Sequence, residues 1–360
     1  MKKTFVIAAI LLALAATYFL LWPVPVDPVA WQAPIDRGFV DPFAKNDRLK
    51  SATGINLGNY EGPEDATVGA DGRIYATTAN GKIIRIQNRG VRVFADVGGR
   101  PLGIEADHDG SLVIANATIG IQRISRDGEV TTLLDEVDGQ PLVFANNLGI
   151  GPDGMIYFSE SSSKFGAEEY GGTFSSSLLD IMEHGGHGRV FSLDPASGDV
   201  QVLLRNLNYA NGVAVSKDGS FLVVAEMGHY RILKHWLTGE KRGVTEVLLD
   251  NLPGFPDNIK NGINGRFWVG FAAPRNQLLD SLAEKPFLRR LVQRLPASLR
   301  PNAEPFSHVI AFNGDGDVLM SLHDPDVRFA TLTGVLETRD ALYLTMLFGN
   351  QLARIDKRDL

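Results

Sequence analysis

A turn that recurs along the whole chain constrains the fold more than any other feature. Asp-Gly or Asn-Gly pairs begin at Asp71, Asp109, Asp153, Asp218 and Asn264, and each leads into a short β-type run. Those runs cover residues 73–77, 111–115, 155–159, 221–225 and 266–270, and a sixth, 341–345, follows Asp340. Successive turns stand 38, 44, 65, 46 and 76 residues apart. The short intervals match the roughly 40–50 residues of a four-stranded propeller blade, and the long ones then contain insertions. Asp-Gly suits a tight two-residue hairpin, because both central positions of that turn need positive φ. In the first unit the strands read 66–68, 73–77, 82–86 and 91–95, from the inner to the outer. The expected fold is therefore all-β, a six-bladed β-propeller. Residues 52–59 are expected to complete its last blade.

Composition removes the competing classes. The 360 residues are 44% hydrophobic, too apolar for a disordered chain. With no Cys there is no disulfide framework, thiolate zinc site or thiol nucleophile. A net charge of −7 argues against a nucleic-acid partner. No Gly-x-Ser-x-Gly elbow, phosphate-binding loop or dinucleotide fingerprint is present.

Residues 4–26 carry no charge and follow Lys2 and Lys3. As a helix they would reach about 34 Å, enough to cross a hydrocarbon core of about 30 Å. The positive-inside bias puts the N-terminus in the cytoplasm and everything after Asp27 on the extracytoplasmic side. A signal peptide cut near Ala13-Leu14-Ala15 is the alternative. The expected organisation is a membrane anchor over 1–27, a proline-rich linker over 28–50 and the propeller over 51–360. Insertions are expected at 161–187 and 274–305.

Counting back seven residues from each turn gives Glu64, Leu102, Asn146, Asn211, Asp257 and Thr333. Equal offsets place these six at equivalent points near the start of each inner strand, facing the central channel. Glu64, Asn146, Asn211 and Asp257 form an all-oxygen set suited to a hard cation, with Ca2+ the best fit. Asn and Asp at strand starts also bond local backbone, which is the competing reading for any one of them.

The strings Gly62-Pro-Glu-Asp65, Arg100-Pro-Leu-Gly-Ile104, Phe144-Ala-Asn-Asn147, His187-Gly-Arg189, Ala210-Asn-Gly-Val213 and Asn251-Leu-Pro-Gly-Phe-Pro-Asp-Asn258 resemble a known family. It is the strictosidine-synthase-like branch of the propellers that include regucalcin, gluconolactonases and paraoxonases. The likeness extends to membrane-anchored members of the adipocyte plasma-membrane-associated-protein type. It implies a catalytic calcium held by Glu64, Asn146, Asn211 and Asp257, with Asn258 as a further ligand. The family pattern has room for a second calcium involving Asp65, and Asn147, in place of the usual Asp, leaves that second ion open here. The paraoxonase His bases are replaced by Leu102 and Ala117. Glu337 matches the catalytic glutamate of strictosidine synthase and, four residues past Thr333, is expected to face the same channel.

The implied activity is hydrolysis of a small-molecule ester or lactone, with Glu64, Asp257 or Glu337 as proton acceptor. A non-catalytic, calcium-stabilised binding propeller is the alternative, and amine–aldehyde condensation a remote one. In the insertion 274–301, Leu278, Leu279, Leu282, Phe287, Leu288, Leu291, Val292 and Leu295 recur at helical spacing, broken by Pro286. They read as an apolar lid, with Arg289, Arg290, Arg294 and Arg300 as a basic surface able to touch lipid headgroups.

Overall fold

The computed structural model describes residues 2–87 and 90–360; Met1, at the start of the expected anchor, lies outside the described residues. Six four-stranded sheets follow one another along the chain and form the blades. Blade one consists of Ala66–Val68, Ile74–Thr77, Lys82–Gln87 and Gly90–Asp96. Blade six takes Leu332–Glu337, Ala341–Met346 and Gln351–Asp356 from the C-terminal end. Its outer strand, Thr53–Asn56, comes from the other end of the propeller sequence. Thr53 pairs with Arg354 and Asn56 with Gln351, so ladder hydrogen bonds close the ring. Apolar side chains such as Trp268, and the stacked rings of Phe158 and Phe191 at 4.9 Å, fill the sheets' faces.

The hairpin turns differ from the expected form. In blade one Gly72 N–H donates to Gly69 O at 2.9 Å, and Gly69 N–H donates to Arg73 O at 2.9 Å. Only Gly72 is left-handed there, at φ 72°, which marks a longer loop ending in a glycine bulge. Among the five recurrent turns that begin at Asp71, Asp109, Asp153, Asp218 and Asn264, both residues have positive φ only at Asn264 (61°) and Gly265 (74°). The recurrent Asp has another task. Its Oδ1 accepts the backbone N–H two residues on, at Arg73 (3.1 Å), Ser111 (2.8 Å), Met155 (3.2 Å) and Ser220 (3.0 Å).

The inner strands are bulged. Their register shifts between Pro101 and Ile104, Ala145 and Leu148, Ala210 and Val213, Pro256 and Ile259, and Leu332 and Val335. Every one of these bulges contains the residue found by the seven-residue count. A bulge re-aims side chains, and here it lets two successive residues of each blade meet the channel. The second of each pair reads Asp65, Gly103, Asn147, Gly212, Asn258 and Gly334, polar and glycine in alternation. At Gly103 and Gly212, backbone from the next blade occupies the missing side chain's place. A Cβ on Gly212 would lie 2.2 Å from Ile259 N and 2.5 Å from Asp257 O.

Helix α1 (Lys2–Leu21) has a mean hydropathy of 2.5 and no buried residue, and is long and apolar enough to cross a membrane. The first insertion forms α2 (Thr173–Glu183). The second forms α3 (Gln277–Ser281) and α4 (Pro286–Gln293), with Pro286 starting α4 instead of breaking a helix. The expected basic surface divides. Arg290 is exposed, whereas Arg289 is fully buried, its guanidinium donating to the carbonyls of Met182 (2.9 Å), Ala283 (3.1 Å) and Val29. The proline-rich segment after α1 runs along these helices, with Val29 N–H on Glu183 O and Trp31 N–H on Ala283 O. It is a docked strap, not a free spacer.

Gly212→Ala is expected to destabilise the folded chain by about 1–3 kcal/mol, read as a lower urea midpoint with unchanged slope.

Candidate active site

Glu64, Asn146, Asn211 and Asp257 line one cavity of about 650 Å³ at one end of the channel. Each is 2–5% exposed. Neighbouring groups fix their orientation. Asn146 Nδ2 donates to Ser161 Oγ at 2.7 Å, and Ser161 Oγ donates to Ala210 O at 2.7 Å, which leaves the Asn146 amide oxygen free. Glu64 Oε2, Asn146 Oδ1 and Asn211 Oδ1 are buried acceptors without a hydrogen-bond partner. An unsatisfied buried acceptor costs about 1–3 kcal/mol, so three around one cavity are costly unless a cation joins them. Among the described residues no three His, Cys, Asp or Glu side chains are grouped so that they alone could hold a metal ion. This ring has two carboxylates and draws its remaining oxygens from amides, a donor set that fits a hard cation.

The electrostatics point the same way. Burial, reinforced by the neighbouring carboxylates of Asp257 and Asp65, pushes Glu64 well above the usual carboxylate range. Burial also lifts Asp257 to about 7, opposed by the Asn211 amide. Two buried acids facing one cavity cannot both ionise cheaply without a positive charge between them.

Two expected site residues stand elsewhere. Asn258 Oδ1 accepts from Asn147 Nδ2 at 3.0 Å, and its Nδ2 donates to Glu64 O at 3.0 Å. Both ends of its amide are thus engaged within the chain, and the residue lies outside the cavity lining. Glu337 lies towards the other end of its strand, opposite Leu342. Its Oε2 accepts from Trp268 Nε1 (2.8 Å) and Ile263 N–H (2.9 Å), and its Oε1 pairs with Lys357 at 2.5 Å. These donors hold it below its ordinary pKa against the cost of burial, outside the cavity lining. The physical reason is the bulge between Leu332 and Val335, which reverses the alternation on which the expectation rested. Thr333 also turns from the cavity, its hydroxyl donating to Glu64 O at 2.6 Å.

The walls are mainly apolar. Leu102, Met182, Phe255 and Leu279 line the cavity above the oxygen ring, with Leu178 and Leu179 from α2. Tyr18, Trp22 and Val24 bring the end of α1 and the strap into the same wall. Arg294 ties them down, donating to the carbonyls of Trp22 (2.6 Å) and Phe19 (2.9 Å), while Tyr18 Oη donates back to Arg294 O (2.9 Å). Sequence reasoning missed this clamp, and it missed Tyr209. That residue is 4% exposed, packs edge-on to Phe144 at 5.6 Å and has φ 59°, unusual for a bulky side chain.

Comparison with known proteins agrees with this architecture. Residues 146–240 match the strictosidine synthase family and residues 41–86 match the N-terminal strictosidine synthase-like family. Adipocyte plasma membrane-associated protein of Salmo salar is 32% identical over 96% of this chain and 88% of its own length. The Homo sapiens counterpart is 31% identical over 98% of this chain and 89% of its own. Among solved structures, a Xanthomonas campestris protein described as a gluconolactonase superposes with a TM-score of 0.62. It is 19% identical and the match covers 93% of this chain and 99% of that one. Regucalcin of Agrobacterium tumefaciens, described as calcium-binding, gives 0.56 at 13% identity, covering 84% and 93%. At such identities the likeness is one of fold.

The raised carboxyls set a pH dependence. Unfolded, Asp257 ionises near 3.8; folded and ion-free, it keeps its proton to about 7, and Glu64 shifts the same way. Ion-free stability is therefore expected to fall as pH rises from about 4 to 7. Bound cation opposes this loss. The rise in Tm on adding calcium should be larger at pH 8 than at pH 5.5, measured by thermal melts in chelator and in calcium.

Proposed function

Because the chain belongs to the strictosidine-synthase-like family, with the adipocyte plasma membrane-associated proteins among its relatives, we propose that it is a membrane-tethered, calcium-dependent hydrolase of esters or lactones. The observation that carries this reading is the group of unpartnered oxygens on Glu64, Asn146 and Asn211, beside Asp257, at the floor of an apolar cavity. Those four side chains would hold the ion. When bound, calcium supplies Lewis-acid polarisation of a carbonyl and stabilises charge developing on its oxygen.

The chain's own residues do the rest. Asp257 and Glu64 are the carboxylates placed to take a proton from an attacking water, since burial raises the proton affinity of both. Leu102, Phe255 and Met182 restrict solvent around the reacting group, and α2 with α3 and α4 forms the lid. The apolar walls favour a substrate with a hydrophobic acyl or aryl portion. Glu337, held by Trp268, Ile263 and Lys357, has no part in this chemistry, which also argues against amine–aldehyde condensation.

Leu102 is the observation that favours a second reading. It lines the cavity where a paraoxonase-type base would stand, and a non-catalytic calcium-stabilised binding propeller needs no base. Turnover separates the two.

Residues 1–27 act as the anchor in this proposal, 28–50 as the strap and 51–360 as the extracytoplasmic propeller. Lys2 and Lys3 at the start of α1, followed by its uncharged remainder, support that orientation. The full chain should stay in the membrane fraction after an alkaline carbonate wash; release of a shortened, soluble chain would identify α1 as a cleaved signal.

Asp257→Ala should lower kcat/KM on a lactone and aryl-ester panel by more than about 100-fold and abolish calcium-induced stabilisation. Excess chelator should do the same to the unmodified chain. Undiminished hydrolysis in either case would overturn the assignment, and calcium stabilisation without turnover would favour the binding propeller.

A further inference from the structure

Beneath the oxygen ring lies a second layer of polar side chains, contributed by the residue after each ring position. Asp65 Oδ1 accepts from Ala66 N–H at 2.8 Å, and its Oδ2 accepts from Ile104 N–H at 2.9 Å in blade two. Asn147 Oδ1 accepts from Val213 N–H at 2.9 Å in blade four, and its Nδ2 donates to Asn258 Oδ1. Each polar side chain passes over the glycine of the next blade, where a side chain would collide with backbone.

Lys260, from blade five, completes this layer. It is 2% exposed and reaches across the channel to blades one and two. Its Nζ lies 2.9 Å from Asp65 Oδ2 and 2.9 Å from Glu105 Oε1, and it donates to Ile104 O as well. Three ammonium protons meet three oxygens, so the group is fully satisfied. Two carboxylate oxygens and a backbone carbonyl around one positive centre are also what a hard cation collects.

We infer that the Lys260 ammonium is a covalently tethered substitute for a second calcium, so that the channel layer is held together without metal and the chain takes up one ion only, at the ring above. The second calcium for which the family pattern has room around Asp65 does not fit these residues. Its place among Asp65, Ile104 O and Glu105 is filled by Nζ, and the residue at position 147 is a neutral amide engaged on both sides. The consequence is a division of labour. Metal at the ring can come and go with conditions while the ring of blades stays closed.

The inference rests on the proposed calcium site only for the single ion at the ring; the lower layer is tested separately. Native mass spectrometry of the full chain in detergent, with calcium added after chelation, should show one tightly bound ion. Asp257→Ala, which removes the ring ion, should show none, and any ion retained there would overturn the inference. An unmodified chain with no ion would count against the ring alone.

Lys260→Ala should lower Tm in chelator by more than about 5 °C, because Asp65 is left as a buried charge without its partner. Calcium should then restore Tm, and Asp257→Ala combined with Lys260→Ala should bind one ion where Asp257→Ala alone binds none. Lys260→Met, which fills the space without charge, should lose stability that calcium does not restore. Equal Tm for Lys260→Ala and the unmodified chain would overturn the inference. If Lys260→Ala fails to fold, the ion count of Asp257→Ala still decides it.

Discussion

The rest of the structure depends on a backbone irregularity, the bulge near the start of the inner strands. A regular strand sends alternate side chains to opposite faces, so consecutive residues cannot both face a central axis. The bulge relaxes that rule at one point in each of blades two to six. In blade one, Glu64 and Asp65 stand immediately before the strand Ala66–Val68 and take the same two places. Two polar layers result. The upper one carries Glu64, Asn146, Asn211 and Asp257, and the lower one carries Asp65, Asn147, Asn258 and Lys260.

The layers differ in how their charges are met. In the lower layer every buried carboxylate oxygen and amide has a partner within the chain, which explains how so much polarity is tolerated at the axis. In the upper layer three acceptors have none. Burying unsatisfied acceptors works against stability, and a fold that keeps them is spending stability on a site. The same contrast separates Glu337 from the ring carboxylates. Surrounded by Trp268, Ile263 and Lys357, it is held ionised, whereas Asp257 is pushed towards neutrality.

The N-terminal segment belongs to the site as much as to any membrane. Arg294 and Tyr18 lock the last turn of α1 to the end of α4, and Trp22 and Val24 then form part of the cavity wall. Arg289 performs the same service one turn earlier, with its guanidinium on the carbonyls of the strap and of α2. Five long-range hydrogen bonds thus join α1, the strap, α2 and α4, far apart in sequence, into one lid. Helical periodicity marked the lid's apolar residues, but it assigned these arginines to a surface. Nothing local to Arg289 distinguishes it from Arg290, which is exposed.

The sequence by itself determined the blades, their number and the ring of oxygens. Turn chemistry and two-residue alternation are local rules, and a seven-residue offset from equivalent turns spans the same bulge each time, so its error cancels. It did not determine Glu337, because that expectation was carried by alternation past a bulge, and a single extra residue reverses the face of everything beyond it. It did not determine the partners of Asn258 either, which come from blades one and three. Nor did it determine Lys260, whose partners Asp65 and Glu105 lie more than 150 positions away in the chain. Only closure of the ring brings blade five opposite blade two. Which cation fills the space between them is decided by that approach, and no local pattern encodes it.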